Sequence, residues 1–495
     1  MNTINHEPVL RRDLARAADA EFDLVVIGAG VYGVMTTLEA ARRGLSVCLI
    51  DAQDFNAGVS FHSLRILHGG LRYLQSMDLP RFFESVSERR WFFRHFPEQC
   101  EVLPCLMPLY GEGLKRPSTF RVAMAMNDAL SFRRNAGVSA DIHLPGGKVL
   151  GPQDTARRFP TVRQEGLRGA GCWPDGRMRC HQRLMIEMLR WAASCGALAL
   201  NYVRAEGLRV EAGRVTGVQA TDVLTGQALT ISTTRVMNTA GPACRALAER
   251  WHADTPALFR PTLAFNLLLD VDPPSDHAVA VAPPKKDART FFVTPWHGRT
   301  FAGTYHTEHA DTVKRGAPST ELVAEMLLGL REAIPGWSPM PSDVARVHAG
   351  RLPGDPGGGD DAAHRAVRVD HGKIGGPHGL YTVSGVKYTT AGLEARRGLR
   401  LAWGYSLPDM QEKRKRPEVG APVDACAAPG GFDLDLAVRL AEQESAVCLE
   451  DVVCRRADWA PDDRSAESAM AQLGLRLDLP RSISTPEPGD SEEHA

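Results

Sequence analysis

Apolar residues run unbroken from Leu24 to Ile27, give way to glycines at 28, 30 and 33, and return along a helix-like segment to a second apolar run ending at Asp51. This pattern predicts a strand, a helix and a parallel strand, because strands covered on both faces lose their polar alternation. Residues 80–96 (PRFFESVSERRWFFRHF) read as a helix that Pro97 stops, 101–110 as a strand, 118–135 as a helix and 136–170 as loop. A further helix over 181–196 ends on Gly196, a suitable C-cap. Short alternating runs with Ala-Gly and Thr-Gly turns from Leu208 onward predict a β-meander, closed by the strand RVMNTAGP. Strand candidates LAFNLLLDV, TFFVTPW and RTFAGTY fill 258–309, and a helix is expected over 319–333. The Pro-, Gly- and Asp-rich stretch 353–364 is expected to be an exposed, mobile loop. A strand and turn, GLYTVSGVKYTTA, precede a helix beginning near Ala391. Beyond them a linker over 412–431 leads to a helical segment over 432–459 and a disordered acidic tail over 482–495.

Composition narrows the function classes. The chain has 495 residues, enough for two to four domains. Its 58 basic and 59 acidic side chains leave a formal net charge of -1, so no global field recruits nucleic acid, and none is expected as a partner. Ten cysteines without a CxxC pair, and an N-terminus without an unbroken apolar stretch, suggest a reducing cytoplasm. No run of about 18 uncharged apolar residues predicts a membrane-crossing helix, which leaves open attachment to a membrane surface. His62, His306 and His348 stand apart without ligand spacing, and no metal is expected.

The opening unit has the layout of a nucleotide grip. Gly28 permits the tight turn, Gly30 leaves room for a pyrophosphate and Gly33 lets helix and strand approach. Phosphate would sit at the helix's positive end, and Asp51 would accept from both ribose hydroxyls while repelling a 2′-phosphate. That motif alone suits NAD or FAD. The great length, the small-residue turn from Asn238 to Pro242 and the distal turn GLYTVSGVKYTT favour FAD in a domain assembled from separated segments.

The chain resembles the FAD-dependent glycerol-3-phosphate dehydrogenases, within the D-amino-acid-oxidase-like flavoenzymes. The resemblance rests on HGGLRYL at 68–74, joined to the opening unit by a small-residue loop with Ser60 and Ser63. It continues through PWHGRTFAGT at 295–304, HAGRLPG around Arg351, SGVKYTT at 384–390 and CLEDVVCRR at 448–456. It implies an α/β fold: a Rossmann-like FAD-binding domain in three parts (21–95, 171–257, 346–405) and an antiparallel-sheet substrate domain in two (96–170, 258–345). A lead-in over 1–20, a small C-terminal helical region over 406–480 and the tail from 481 complete the expected organisation.

The resemblance also implies roles. Gly28, Gly30, Val31, Tyr32, Gly33, Asp51, Ser60, Ser63, Thr239, Gly241 and Gly385 would hold FAD, with His68, Gly69, Gly70 and Lys387 approaching the flavin. Arg72, Tyr73, Arg351, Arg368 and Lys387 would bind substrate, since a guanidinium makes paired hydrogen bonds to phosphate. His68, Arg351 and Lys387 are the catalytic candidates, the proton acceptor being His68 or a water held by Arg351.

The expected reaction is oxidation of sn-glycerol 3-phosphate, or a related hydroxy compound, with electrons passed to a quinone or another acceptor. The alternatives are a flavin enzyme oxidising an amine or amino acid and a non-catalytic flavin-binding protein. The resemblance further implies attachment to the inner face of the cytoplasmic membrane, while the C-terminal region could cap the fold or carry homodimer contacts. Departures from the family pattern concentrate around the expected substrate: Arg65 replaces a lysine, Asn266 a histidine, and Tyr305 and His306 follow Gly303-Thr304 where a threonine and a carboxylate are usual.

Overall fold

The computed structural model describes residues 9–483 apart from 112, 114–115, 253–257, 286, 355–361, 364, 418–432 and 460–461. Much of the loop over 353–364, most of the linker and nearly all of the acidic tail therefore lie outside the described residues. The chain forms two compact units, the first from residues 1–61, 180–261 and 352–495, the second from 62–179 and 262–351.

The first unit is built on a six-stranded sheet in the order Val367–Asp370, Leu380–Ser384, Val236–Asn238, Leu24–Ile27, Val47–Ile50, Leu198–Leu200. All neighbours are parallel except the first pair. The five parallel strands are buried at every position, which is why Leu24–Ile27, Val47–Ile50 and Leu198–Leu200 read as continuous apolar runs, while the other two carry the buried polar side chains Asn238, Thr382 and Ser384. Helices Val31–Ala41, His181–Ser194 and Ala391–Trp403 pack together. The meander appears as Val203–Glu211, Arg214–Asp222 and Ala228–Thr233, extended by a parallel edge strand, Glu21–Phe22.

The C-terminal part of this unit has its own small core, formed by Leu440, Val452, Val453, Trp459 and Leu473. The single helical segment expected over 432–459 is interrupted: helix Leu434–Gln443 ends, Ser445 takes a positive φ of 55°, and a π-helical turn covers Asp451–Arg456. Tertiary bonds hold that break, since the Ser445 hydroxyl donates to Leu10 O at 2.8 Å and its carbonyl accepts from Asn201 Nδ2 at 2.7 Å. A further helix, Asp463–Leu473, lies within the helical region expected over 406–480 and is capped by Asp462, which accepts from Ser465 N at 2.8 Å.

Charged side chains fix this segment to the rest of the unit. Glu444, with no exposed surface, accepts from Arg183 at 2.6 and 2.8 Å and from Arg190 at 3.1 Å. Asp54 accepts both terminal nitrogens of Arg456 (2.6 and 2.8 Å), Nε of Arg455 (3.0 Å) and Asn201 Nδ2 (2.7 Å). Burial alone would raise the Asp54 pKa, but Arg456 and Arg455 overcome it and hold the carboxyl below its ordinary range.

The second unit is a large, mostly antiparallel sheet in the order Val344–Pro353, Pro261–Leu269, Arg299–Thr307, Phe291–Trp296, Ala278–Val281, Cys100–Leu109, Gly169–Met178, Ile66–Leu67, with Lys148–Leu150 also pairing to Gly169–Met178. Helix Thr320–Ala333 places Leu322, Met326, Leu327 and Leu330 in its core. The unit begins at 62 rather than at the expected 96. Strand Ile66–Leu67 pairs with Gly176 and Arg177, which draws the HGGLRYL segment and the helix Leu79–His95 into this sheet's unit.

Candidate functional site

In the first unit the glycine loop leaves the central strand Leu24–Ile27 and starts the helix Val31–Ala41. Gly28 has φ 99°, and a Cβ there would lie 2.5 Å from Ala240 Cα. A Cβ on Gly33 would lie 1.8 Å from Gly28 O and 2.7 Å from Thr239 Oγ1. Gly30 differs: its Cβ would meet only Ser60 Oγ, at 3.2 Å. Two of the glycines are thus required by the fold, and the third leaves a space at a helix N-terminus.

The surrounding residues close that loop. Thr239 donates from its N–H to Ile27 O (2.8 Å), and its hydroxyl lies within 3.1 Å of Gly28 O. Ser60 Oγ accepts from Val31 N at 3.0 Å. Asp51 accepts from Ala29 N at 2.6 Å and Gln53 N at 2.8 Å. Burial pushes the Asp51 carboxyl up to about 6, against the opposing pull of those two N–H groups. Gly241 has φ 56° and opens the short turn Gly241–Ala243.

The distal turn reaches the same helix. Tyr32 OH donates to Lys387 O and accepts from Lys387 N, both at 3.2 Å, and a Cβ on Gly385 would lie 2.3 Å from that hydroxyl. Burial drives the Tyr32 phenol well above its ordinary pKa, so it stays a neutral two-way hydrogen-bonding group. Lys387 is half-buried. Arg368 is ion-paired with Glu394, in the first turn of helix Ala391–Trp403.

The second unit holds the HGG turn. Gly69 N donates to Asp175 Oδ1, which also accepts from Arg89 at 2.6 Å; Trp173 Nε1 donates to the other oxygen at 3.0 Å. A Cβ on Gly69 would lie 2.2 Å from Arg89 Nη1. Gly70, at φ 81°, starts the short helix Leu71–Gln75, on which Arg72 is exposed and Tyr73 buried. The His68 and Tyr73 rings meet edge to face, 6.4 Å between centroids. Arg89 and Asp175 were not singled out from the sequence, because one lies in an ordinary charged helix and the other in a Gly- and Pro-containing stretch. Arg351 is half-buried on strand Val344–Pro353, and Ser63 carries a buried hydroxyl with no hydrogen-bond partner among the described residues.

The departures from the family pattern are absorbed by packing. Asn266 uses both ends of its amide, donating to His62 O at 2.9 Å and accepting from Thr304 Oγ1 at 3.0 Å. Tyr305 stacks on Phe265 at 5.0 Å, with the Arg289 guanidinium 4.2 Å above its ring. Arg65 adopts φ 62° and lies 4.3 Å from the Trp296 ring centre. His62 and His348 are not apart: their Nδ1 atoms are 3.4 Å from each other. Burial lowers the His62 pKa to about 4, helped by Arg346 and Arg65, so the imidazole is neutral at physiological pH. No cluster of three or more His, Cys, Asp or Glu suited to a metal occurs among the described residues.

Comparison with known proteins fits this arrangement. The chain is 33% identical over 347 residues to the alpha-glycerophosphate oxidase of Streptococcus pyogenes, a match covering 69% of this chain and 56% of that protein. It therefore spans little more than half the length of that relative. It is 28% identical to the aerobic glycerol-3-phosphate dehydrogenase of Staphylococcus epidermidis, covering 83% of this chain and 70% of the other. Among solved structures, the glycerol-3-phosphate dehydrogenase from Bacillus halodurans complexed with FAD superposes with a TM-score of 0.62 at 22% identity, covering 93% and 83% of the two chains. The glycine oxidase from Geobacillus kaustophilus shares the fold at a TM-score of 0.54 and 16% identity, covering 81% and 99%. The family model described as FAD dependent oxidoreductase matches residues 23–404, from the strand before the glycine loop to the helix after the distal turn, and the chain belongs to that family.

Proposed function

We propose that this protein oxidises sn-glycerol 3-phosphate to dihydroxyacetone phosphate. The observation that carries the reading is the 33% identity over 347 residues to an alpha-glycerophosphate oxidase, a stretch that includes most of the family match. FAD fits the residues present: Gly30 leaves a space before a helix N-terminus, and Asp51 offers a buried acceptor at the end of the second strand. When bound, FAD supplies an acceptor for the hydride leaving the substrate carbon.

On this reading Gly28, Gly30 and Gly33 shape the pyrophosphate seat, Ser60, whose Oγ accepts from Val31 N, faces the phosphates, and Thr239 braces the loop. Tyr32 fixes the backbone of the Gly385–Lys387 turn. His68, Gly69 and Gly70 present the edge nearest the flavin, with Arg89 and Asp175 holding their backbone. Arg72, Tyr73, Arg351 and Lys387 hold the substrate, an arginine gripping its phosphate by paired hydrogen bonds. Arg368 is the weakest of the substrate candidates because Glu394 already engages its guanidinium. His68, or a water on Arg351, takes the hydroxyl proton. Asn266 is not a base, since both ends of its amide are spent on structural bonds and an amide does not titrate. The electron acceptor is a quinone or an equivalent oxidant, reached at the membrane surface; no helix among the described residues is long and apolar enough to cross a membrane.

The test is an anaerobic titration of the yellow holoprotein with sn-glycerol 3-phosphate, followed by bleaching of the flavin band. Full bleaching is expected, and Arg351→Met should raise the substrate concentration required by about 10- to 100-fold, the worth of a charged hydrogen-bonded contact. Bleaching by amines with ammonia release, and none by glycerol 3-phosphate, would overturn the assignment.

Cofactor affinity should also depend on pH through Asp51. Its folded pKa, about 6, lies above the ordinary aspartate value, so ionisation costs the apoprotein stability as pH rises through that window. The ribose hydroxyls donate to the ionised form and draw its pKa down on binding. The FAD dissociation constant should therefore weaken about tenfold for each pH unit below 6 and level off above it. Fluorescence-quenching titrations from pH 5 to 8 check this; a flat profile removes Asp51 from the ribose.

A further inference from the structure

The loop after the second strand carries a residue that no family role accounts for. Asp54, Phe55 and Asn56 are all nearly inaccessible to solvent. Asp54 is saturated by Arg455, Arg456 and Asn201. Asn56, two residues on and 2% exposed, has neither Nδ2 nor Oδ1 bonded to any described residue. Its backbone adopts φ 62°, a conformation asparagine tolerates better than most residues, and its N–H donates to Ala29 O at 3.1 Å. Ala29 is the residue between Gly28 and Gly30, so the orphaned amide belongs to a loop hydrogen-bonded directly to the nucleotide grip.

A buried carboxamide with both ends unpaired is costly and rarely persists in a native protein. We propose that Asn56 is a hydrogen-bonding ligand of the ADP half of FAD, held in place by the Asp54–Arg455–Arg456 cluster of the C-terminal segment. The inference rests on FAD being the cofactor. The amide supplies what that half of the molecule needs: Nδ2 donates to a phosphoryl or ribose oxygen, or Oδ1 accepts from the adenine amino group, the ribose hydroxyls themselves donating to Asp51. The arginines act one step back. Arg456 grips both oxygens of Asp54 and donates through Nε to Glu444 O at 2.8 Å, and its guanidinium lies over the Phe55 ring, 5.6 Å from the centre. The backbone entering Asn56 is thereby pinned from two sides.

The experiment uses full-length apoprotein titrated with FAD and, separately, with ADP and FMN. Asn56→Gly keeps the positive φ accessible and removes the amide; it should weaken FAD and ADP about tenfold or more, leave FMN unchanged, and leave the apoprotein's melting temperature equal or higher. Asn56→Asp keeps an acceptor but loses the donor and should weaken FAD further if Nδ2 faces a phosphate. Arg456→Lys keeps the charge without the paired grip and should weaken ADP several-fold. Unchanged FAD and ADP affinities in Asn56→Gly would overturn the ligand role, and a lower melting temperature with unchanged ADP affinity in Arg456→Lys would overturn the positioning role. A wild-type protein that binds no FAD would instead refute the cofactor reading on which both stand.

Discussion

Glu444→Gln is expected to lose about 3–5 kcal/mol of stability, read as a large fall in the urea midpoint by circular dichroism. Glu444 has no exposed surface and receives three hydrogen bonds from Arg183 and Arg190, which are themselves 1–2% exposed. Removing its charge leaves two buried guanidiniums to share Glu187. The loss comes from stranded charge rather than from a lost attraction, so the double variant Arg183→Met, Glu444→Leu should recover much of it, leaving Glu187 between Arg190 and the less buried Arg416. A double variant no better than the sum of the singles would mean that the network's geometry, and not its charge balance, holds the C-terminal segment.

Gly33→Ala is expected to give a protein that purifies without yellow colour and melts at a lower temperature. The added Cβ would sit 1.8 Å from Gly28 O and 2.7 Å from Thr239 Oγ1, both fixed by the fold, so the helix Val31–Ala41 must move away from its strand. Overpacking of this kind costs about 1–3 kcal/mol, and the displaced helix carries the phosphate-binding N–H groups with it. Gly30→Ala is the informative contrast. Its Cβ would approach only Ser60 Oγ, at 3.2 Å, so the apoprotein should melt as the wild type does while FAD affinity falls more than 100-fold. Absorbance near the flavin band and a thermal melt of each purified variant separate the two effects. Equal melting temperatures for both variants would show that Gly33 is not the packing glycine.

The elements legible from sequence were those whose local pattern and tertiary environment agree. The strands Leu24–Ile27 and Val47–Ile50 are buried on both faces and therefore apolar throughout. Helices Leu79–His95, His181–Ser194 and Thr320–Ala333 lie within a residue or two of their expected limits. Strand Gly169–Met178 was the largest element missed, read in part as loop because GAGCWPDGRM has three glycines and a proline. It forms because Cys100–Leu109 pairs with it along its whole length. Its glycines then make sense: Cβ atoms at Gly171 and Gly176 would lie 2.0 Å from the Phe120 ring and 2.5 Å from the Phe93 ring. The same strand delivers Asp175 to the HGG turn, so missing it also hid the brace of that turn.

The sequence by itself determined the nucleotide grip, because glycine spacing and a terminal carboxylate are local requirements that neighbouring residues must satisfy. It also carried the family resemblance, through short motifs preserved in order along the chain. Tertiary structure alone decided which charges are structural. Glu444, Asp54, Arg183, Arg455 and Arg456 look like ordinary surface residues in a polar sequence, and they became a buried network because partners up to 402 positions away arrive to neutralise them. It also decided that Asn266 is occupied, that His62 and His348 form a pair, and that the amide of Asn56 is left without a partner among the described residues, since burial and hydrogen-bond satisfaction depend on what the rest of the chain brings alongside.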